Sequence, residues 1–501
     1  MTNEWKTAMR NAGHGFVAAD SQHSAWALLC RAVALAAVVL AGGRGWAQAD
    51  DEESSRPPNI IFIMADDLGY GDLGCYGQQR IKTPNIDRLA AEGMKFTNYY
   101  AGSTVCAPSR YVLMTGVHLG RGYIRGNSKM SIRVGDVTVA EVLKLAGYRC
   151  GMFGKWGLGQ EGTAGLPSNQ GFDAFYGYLD QHHAHNYYPS FLIRGREREP
   201  LKNVVPGEGA YGTGVATEKN EYSHDLIWAE AIKFLEASKD EPFFLYLPVT
   251  IPHANNEARQ AGMEIPDYGQ YASEDWPDPQ KGLAAMISRL DSDVGLLMEL
   301  LKQYGIDEQT IVFFTSDNGP HKEGGNDPEF FDSNGPLRGI KRDFYEGGIR
   351  VPMLVRWPGK IAPGSQTDLL FWHGDLMATA AELANAPRVP VGLDSASYVP
   401  TLLGKPEEQW QHEWLYWEFY EKGFKQAVRS DHWKAIRHEK DNERLELYNL
   451  EQDPAEEHYV AGTQREVAEK LAHVMDIAHV PNPDWPIDPR RARRMRQFYD
   501  R

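Results

Sequence analysis

Three uninterrupted apolar runs constrain this chain more than any other feature: NIIFIMA (59–65), FFLYLPV (243–249) and IVFFT (311–315). Runs of this length without polar alternation are buried on both faces, which is the situation of a central strand in a parallel sheet. Parallel strands need long crossovers, and helical patterns fill the intervals. TPNIDRLAAEG has Thr83 as N-cap, Pro84 at the first helical position and Gly93 as its stop. TVAEVLKLAG has a Thr138/Glu141 capping box and ends at Gly147. Leu283, Met286, Leu290, Val294, Leu297 and Leu301 recur at helical spacing between the two later runs. MKFTNYY and YRCGMFG read as further strands, the second running into Lys155. The alternation predicts an α/β fold: a large, mixed and mostly parallel sheet covered by helices on both faces.

After about residue 405 the pattern changes. WLYWEF, QAVRS, WKAIR and LELYNL are short strand-like runs with no helix between them, which predicts a small C-terminal antiparallel sheet subdomain. The chain of 501 residues therefore divides into a large α/β domain over 50–405 and a subdomain with a basic surface tail over 406–501. Residues 1–49 read as a signal peptide. Lys6, Arg10 and Arg31 precede the apolar run AVALAAVVLAG, which leads to the cleavage signal Ala47-Gln48-Ala49. The run is too short to span a bilayer, and Cys30 precedes it, which speaks against a lipoprotein anchor. The expectation is an exported protein, periplasmic or extracellular, with no membrane attachment after cleavage.

The formal charge of -16 argues against a nucleic-acid or anionic-membrane partner. An anionic substrate must then be drawn by a local cluster of basic groups. Of the four cysteines, Cys75, Cys106 and Cys150 remain after export. An odd number in an oxidising compartment leaves at least one thiol unpaired or modified. Cys75 and Cys150 either pair or lie as small buried residues, and Cys106 is left over.

Open α/β sheets bind ligands beyond the carboxyl ends of their strands. The strand at 59–65 delivers Asp66 and Asp67, and MKFTNYY leads to Cys106 and Arg110 in STVCAPSRYVLMTG. The remaining strands deliver Lys155, His253, and Asp317 with Asn318. The pairs Asp66-Asp67 and Asp317-Asn318 offer hard oxygen ligands suited to Ca²⁺ or Mg²⁺. APSRYVLM after Cys106 reads as a first helical turn, whose N–H groups favour an anion.

From Pro58 to about residue 461 the chain resembles the formylglycine-dependent sulfatases of the alkaline phosphatase superfamily. CAPSR matches the family signature C-x-P-S-R. PNIIFIMADDLGYGDLGCYG, GKWGLG, TSDNG and YEGGIRVPMLVRWPG match in the family's order. The resemblance implies an alkaline phosphatase-like fold and hydrolysis of a sulfate ester. It implies that a formylglycine-generating or sulfatase-maturating enzyme oxidises Cys106 to Cα-formylglycine, reading Pro108, Ser109 and Arg110 as part of its signal. The aldehyde hydrates to a gem-diol that attacks sulfur. Asp66, Asp67, Asp317 and Asn318, with residue 106, would hold one Ca²⁺. Arg110 and Lys155 would hold the ionised diol, and Lys341 and His253 would act on the sulfate and the leaving oxygen. An exported enzyme with the aromatic segment HNYYPSFL suggests a carbohydrate O-sulfate, with aryl sulfates as simpler substrates. A phosphoester or phosphonate hydrolase of the same superfamily, and a non-catalytic glycan-binding relative, are the alternatives.

One position departs from the pattern. Many relatives read G-K-W-H-L-G, whereas this chain has Gly157 in place of the histidine. Glycine cannot take a proton. The expectation is that His183 or His185, in the cluster with His182, supplies the missing base; the cluster also reads as an alternative metal site or a polar loop.

Overall fold

A computed structural model describes residues 56–487 except 210, 422 and 439–443. The expected signal peptide and the basic tail lie outside the described residues. The main sheet is built from β1 (Asn59–Ala65), β2 (Met94–Phe96), β4 (Arg149–Lys155), β5 (Ala174–Tyr178), β6 (Phe191–Arg194) and β7 (Glu197–Pro200), with β8 to β11 following later in the chain. These are β8 (Phe243–Pro248), β9 (Thr310–Ser316), β10 (Met353–Arg356) and β11 (Ser365–Thr367). Strand order is β11-β2-β10-β9-β1-β8-β4-β5-β6-β7. Strands β9, β1, β8, β4 and β5 are mutually parallel, and β10, β6 and β7 pair antiparallel with their neighbours. The expected mixed, mostly parallel sheet is therefore present.

Every residue of β1 is buried. Ile60, Phe62 and Met64 join one core cluster, and Ile61, Ile63 and Ala65 join the other. This is why the sequence shows no polar alternation there. Counting helices longer than one turn, these are α1 (Pro84–Glu92), α2 (Cys106–Thr115), α3 (Val139–Leu145), α4 (Ser223–Ser238), α5 (Asp278–Gln303), α6 (Asp375–Leu383) and α7 (Arg465–Ala478). Side chains of α2, α3 and α6 fill the first cluster, and those of α1, α4 and α5 fill the second.

Two local expectations need correction. MKFTNYY is not one strand. Thr97 and Asn98 bond to the backbone of Thr367 and Asp368, which splits it into β2 and a separate β3 (Tyr99–Tyr100) paired with β12 (Phe371–Trp372). Thr83 also does not cap α1 with its side chain; its hydroxyl accepts from the Gly74 N–H and donates to Asp87. The free N–H groups of Asn85 and Ile86 are taken instead by Asp291 of α5, both at 2.8 Å. The capping box of Thr138 and Glu141 forms as expected.

Cys75, Cys106 and Cys150 are all free thiols, so the pairing of Cys75 with Cys150 does not form. Cys150 is buried in β4, as its alternative reading holds. The C-terminal runs become β13 (Leu415–Phe419), β14 (Lys425–Ser430), β15 (Trp433–His438) and β16 (Arg444–Asn449) in one antiparallel sheet. One face packs against α7, which was not anticipated, and the other shares a core cluster with Tyr100, Val112 and Trp372. No helix among the described residues is long and apolar enough to cross a membrane.

Candidate active site

The strands that supply the site are neighbours, and being parallel they end on the same edge of the sheet. Asp66 and Asp67 follow β1, Asp317 and Asn318 follow β9, Lys155 ends β4, and His253 lies five residues beyond β8. Helix α2 begins at Cys106, and all ten of its residues are buried. The Ser109 hydroxyl ties it to the end of β9 by donating to Asp317 O at 2.5 Å. Asp67 stands at φ +67, a left-handed conformation that aspartate tolerates better than most residues.

Charges of both signs interlock here. Lys155 Nζ lies 2.7 Å from Asp66 Oδ2. Arg110 donates to Asp317 Oδ2 at 2.8 Å through Nη2, which also lies 3.4 Å from Asp66 Oδ2. Lys341 Nζ lies 2.7 Å from Asp67 Oδ2, 3.1 Å from His253 Nε2 and 3.5 Å from Glu323 Oε2. His253 turns its Nδ1 to the Ala254 carbonyl at 2.7 Å, so Nδ1 carries the hydrogen and Nε2 accepts from Lys341. Cys106 Sγ lies 3.5 Å from Asp66 Oδ1.

The pKa shifts follow from this crowding. Burial alone would raise Asp66, but Lys155, His253, Arg110 and Lys341 hold it well below the usual carboxylate range. Burial and the adjoining Asp66 carboxylate push Asp317 up, against the pull of Arg110. Burial followed by the Lys341 ammonium pushes His253 well down, so its imidazole is neutral. Burial and Asp66 push the Cys106 thiol up, which makes the unmodified residue a poor nucleophile.

The ligand atoms of Asp66, Asp67, Cys106 and His253 all lie within 4.8 Å of one another. Asn318 donates through Nδ2 to Asp67 at 2.7 Å, while its Oδ1 is buried without a hydrogen-bond partner. Three carboxylates and an amide oxygen are a hard donor set suited to Ca²⁺. The repulsion that raises Asp317 is the kind a bound cation relieves.

The structure thus brings together Asp66, Asp67, Cys106, Arg110, Lys155, His253, Asp317, Asn318 and Lys341. It separates the histidine cluster. The His185 ring stacks on His253 at 4.9 Å and 14°, with Nδ1 3.4 Å from Glu257 Oε2. His183 stands apart from the charged groups: its ring lies against those of Tyr178 and Phe191, at 4.9 and 4.5 Å. His182 is half exposed and lies 3.1 Å from Asp180. Sequence reasoning missed Glu323, the partner of Lys341, and Gln181, which packs over Gly157. Glu323 falls five residues after Asn318 and was findable by proximity, whereas nothing in the sequence distinguishes Gln181.

A parallel sheet whose carboxyl edge gathers a buried nucleophile position, an oxygen donor set and three cations defines a hydrolase of anionic esters. The chain belongs to the sulfatase family: the family model described as Sulfatase matches residues 58–386. A second, N-sulphoglucosamine sulphohydrolase C-terminal, matches residues 340–479. The N-acetylgalactosamine-6-O-sulfatase of Bacteroides thetaiotaomicron is 32% identical, over 87% of this chain and 96% of that protein. Arylsulfatase A of Homo sapiens is 37% identical, over 72% of this chain and 71% of its own. The solved structure of Ps i-CgsB in complex with k-i-k-neocarrahexaose superposes with a TM-score of 0.72 at 27% identity, covering 88% of this chain and 97% of that one. The chain is accordingly a sulfuric ester hydrolase with an alkaline phosphatase-like fold.

Proposed function

We propose that this sulfatase is exported and removes O-sulfate groups from carbohydrates, through a formylglycine diol made from Cys106 by a maturation enzyme. The observation that carries the reading is the position of Cys106. It starts a buried helix and shares one cluster with Asp66, Asp67 and His253. A sugar substrate is supported by the relative named an N-acetylgalactosamine-6-O-sulfatase and by the structural neighbour in complex with neocarrahexaose.

Asp66, Asp67, Asp317 and Asn318, with residue 106, would hold Ca²⁺, which when bound polarises a sulfate oxygen and lowers the pKa of the nucleophile. Arg110 and Lys155 flank residue 106 through their shared partner Asp66 and hold the ionised hydroxyl. That hydroxyl forms a bond to sulfur as the bond from sulfur to the ester oxygen breaks. Lys341 is the protonated member of its pair with His253 and hands a proton to the leaving oxygen; His253 orients it. The second hydroxyl of residue 106 then gives up its proton. Its oxygen forms the carbonyl as the bond to the sulfate oxygen breaks, and sulfate leaves. Water adds back to the aldehyde to restore the diol. Of the clustered histidines, His185 stands at the rim beside His253 and takes the proton-accepting role.

The test is the mass of the peptide carrying residue 106, together with sulfate release from a panel of sulfated sugars. Sulfur replaced by a carbonyl oxygen, in protein that desulfates at least one sugar, is the expected result. A fully active protein with an unmodified thiol at 106 overturns the mechanism. A mature amino terminus at residue 50 in the exported fraction would support export.

A further inference from the structure

Gln181 is a nearly buried polar side chain that the mechanism above does not use. It is 6% exposed, and its Oε1 is enclosed without a hydrogen-bond partner. A buried acceptor left unpaired is costly, so such an atom beside a site calls for a partner. Two backbone hydrogen bonds set its position. The Trp156 N–H donates to Tyr178 O at 2.8 Å and the Gly157 N–H to Leu179 O at 3.0 Å. They lay the segment after β5 along the segment after β4 and bring Gln181 down on Gly157. A β-carbon placed on Gly157 would lie 3.4 Å from Gln181 Cγ and 3.6 Å from Arg110 Cδ. Gln181 therefore shares the space above Gly157 with the arginine that holds Asp66 and Asp317. Gly157, at φ +77, carries no side chain, and Gln181 from another segment covers this part of the wall.

Arg110, Lys155 and Lys341 can only donate hydrogen bonds, and the site's carboxylates are already engaged by them. A hydroxyl beside the sulfate that is not yet handing its proton to His185 then needs a hydrogen-bond acceptor that adds no negative charge against an anionic substrate. We propose that the Gln181 carboxamide is that acceptor, a substrate-pocket residue that receives the hydrogen of a hydroxyl flanking the scissile sulfate. The hydroxyl belongs either to the hydrated residue 106 or to the carbon next to the sulfated position of a sugar. The inference rests on the reading of residue 106 given above.

The experiment compares Gln181→Ala and Gln181→Glu with the wild type on an aryl sulfate, which has no neighbouring hydroxyl, and on a sulfated sugar that the wild type cleaves. Gln181→Ala should lower kcat/KM by about 10- to 100-fold, the worth of one hydrogen bond in a buried site. A loss on both substrates assigns the hydroxyl to residue 106; a loss on the sugar alone assigns it to the substrate. Gln181→Glu keeps the shape and adds charge, so its loss should exceed that of Gln181→Ala and shrink as the pH falls and the carboxyl is protonated. A role in packing alone would not produce that pH profile. Wild-type kcat/KM on both substrates in a folded Gln181→Ala, or a pH-independent Gln181→Glu, overturns the proposal. Failure of the underlying reading shows separately, as a wild type whose residue 106 peptide is unmodified.

Discussion

Asp317 sits where several demands on charge meet. Its Oδ2 takes Arg110, its Oδ1 takes the Asp67 N–H at 3.1 Å, and burial with Asp66 pushes its carboxyl up. Asp317→Asn keeps the shape and removes the charge. Turnover should fall by roughly 10³-fold, as when a charge-stabilising group is lost. Ca²⁺ should raise the Tm of the chelated wild type, because a ligand bound only to the native state stabilises it, and that rise should vanish in the variant. An intact Ca²⁺ response in the variant excludes Asp317 as a ligand. His183 and His185 should separate in the same way. His185→Ala should release alcohol in a burst from an aryl sulfate and then stall with sulfate on residue 106, whereas His183→Ala should turn over like wild type. His183 acts on stability instead. Burial pushes its imidazole down to about 4, below the ordinary value near 6.5. Its contribution is therefore full above pH 6.5 and lost as the pH falls towards 4. The slope of Tm against pH in that window should flatten in His183→Gln.

Elements are fixed to one another by side chains far apart in sequence. Helix α1 has Pro84 at its first position and Asp87 in its first turn, but its N–H groups are capped from α5. Asp291 also accepts from Asn85 Nδ2 at 2.9 Å. Replacing a cap by alanine costs about 0.5–2 kcal/mol. Asp291→Ala should fall at the upper end of that range in chemical denaturation, because it also detaches α1 from α5, whereas Thr83→Ala should leave the α1 N–H bonds in place. Equal losses would show that the long-range cap is not what fixes the helix.

Across the whole molecule, the C-terminal sheet is tied to the preceding domain by a buried ionic cluster. Lys434 of β15 is fully buried, 2.9 Å from both Glu346 and Glu456. Tyr100 donates to Glu346 at 2.7 Å. Burial would raise Glu346, but Lys434, Arg350 and Arg429 hold it down to about 2. Breaking such a cluster by removing one partner costs about 3–5 kcal/mol, since the remaining charges stay buried. Lys434→Met should therefore be strongly destabilised in urea unfolding, and adding Glu346→Gln and Glu456→Gln should recover part of the loss. No recovery would mean that packing of the lysine stem, rather than charge, governs the seam. Glu346 lies five residues after Lys341, so the single variant should also weaken catalysis.

The sequence by itself determined which segments are central strands, because burial on both faces leaves an unbroken apolar run such as residues 59–65. It also determined the charged residues that follow those strands, since an open parallel sheet presents its strand ends on one edge. The capping box of Thr138 is local and was legible for the same reason. Contacts made across hundreds of residues leave no local mark, and there the tertiary structure decided. It gave the cap of α1 to Asp291, split MKFTNYY at Thr97, and left Cys75 and Cys150 unpaired. It turned His183 into an aromatic wedge and His185 towards His253, although both stand in the same short segment, because the segment's path over β5 sets which ring faces inward. It set Gln181 over Gly157, since that neighbour depends on how two strand ends lie side by side and not on either sequence alone.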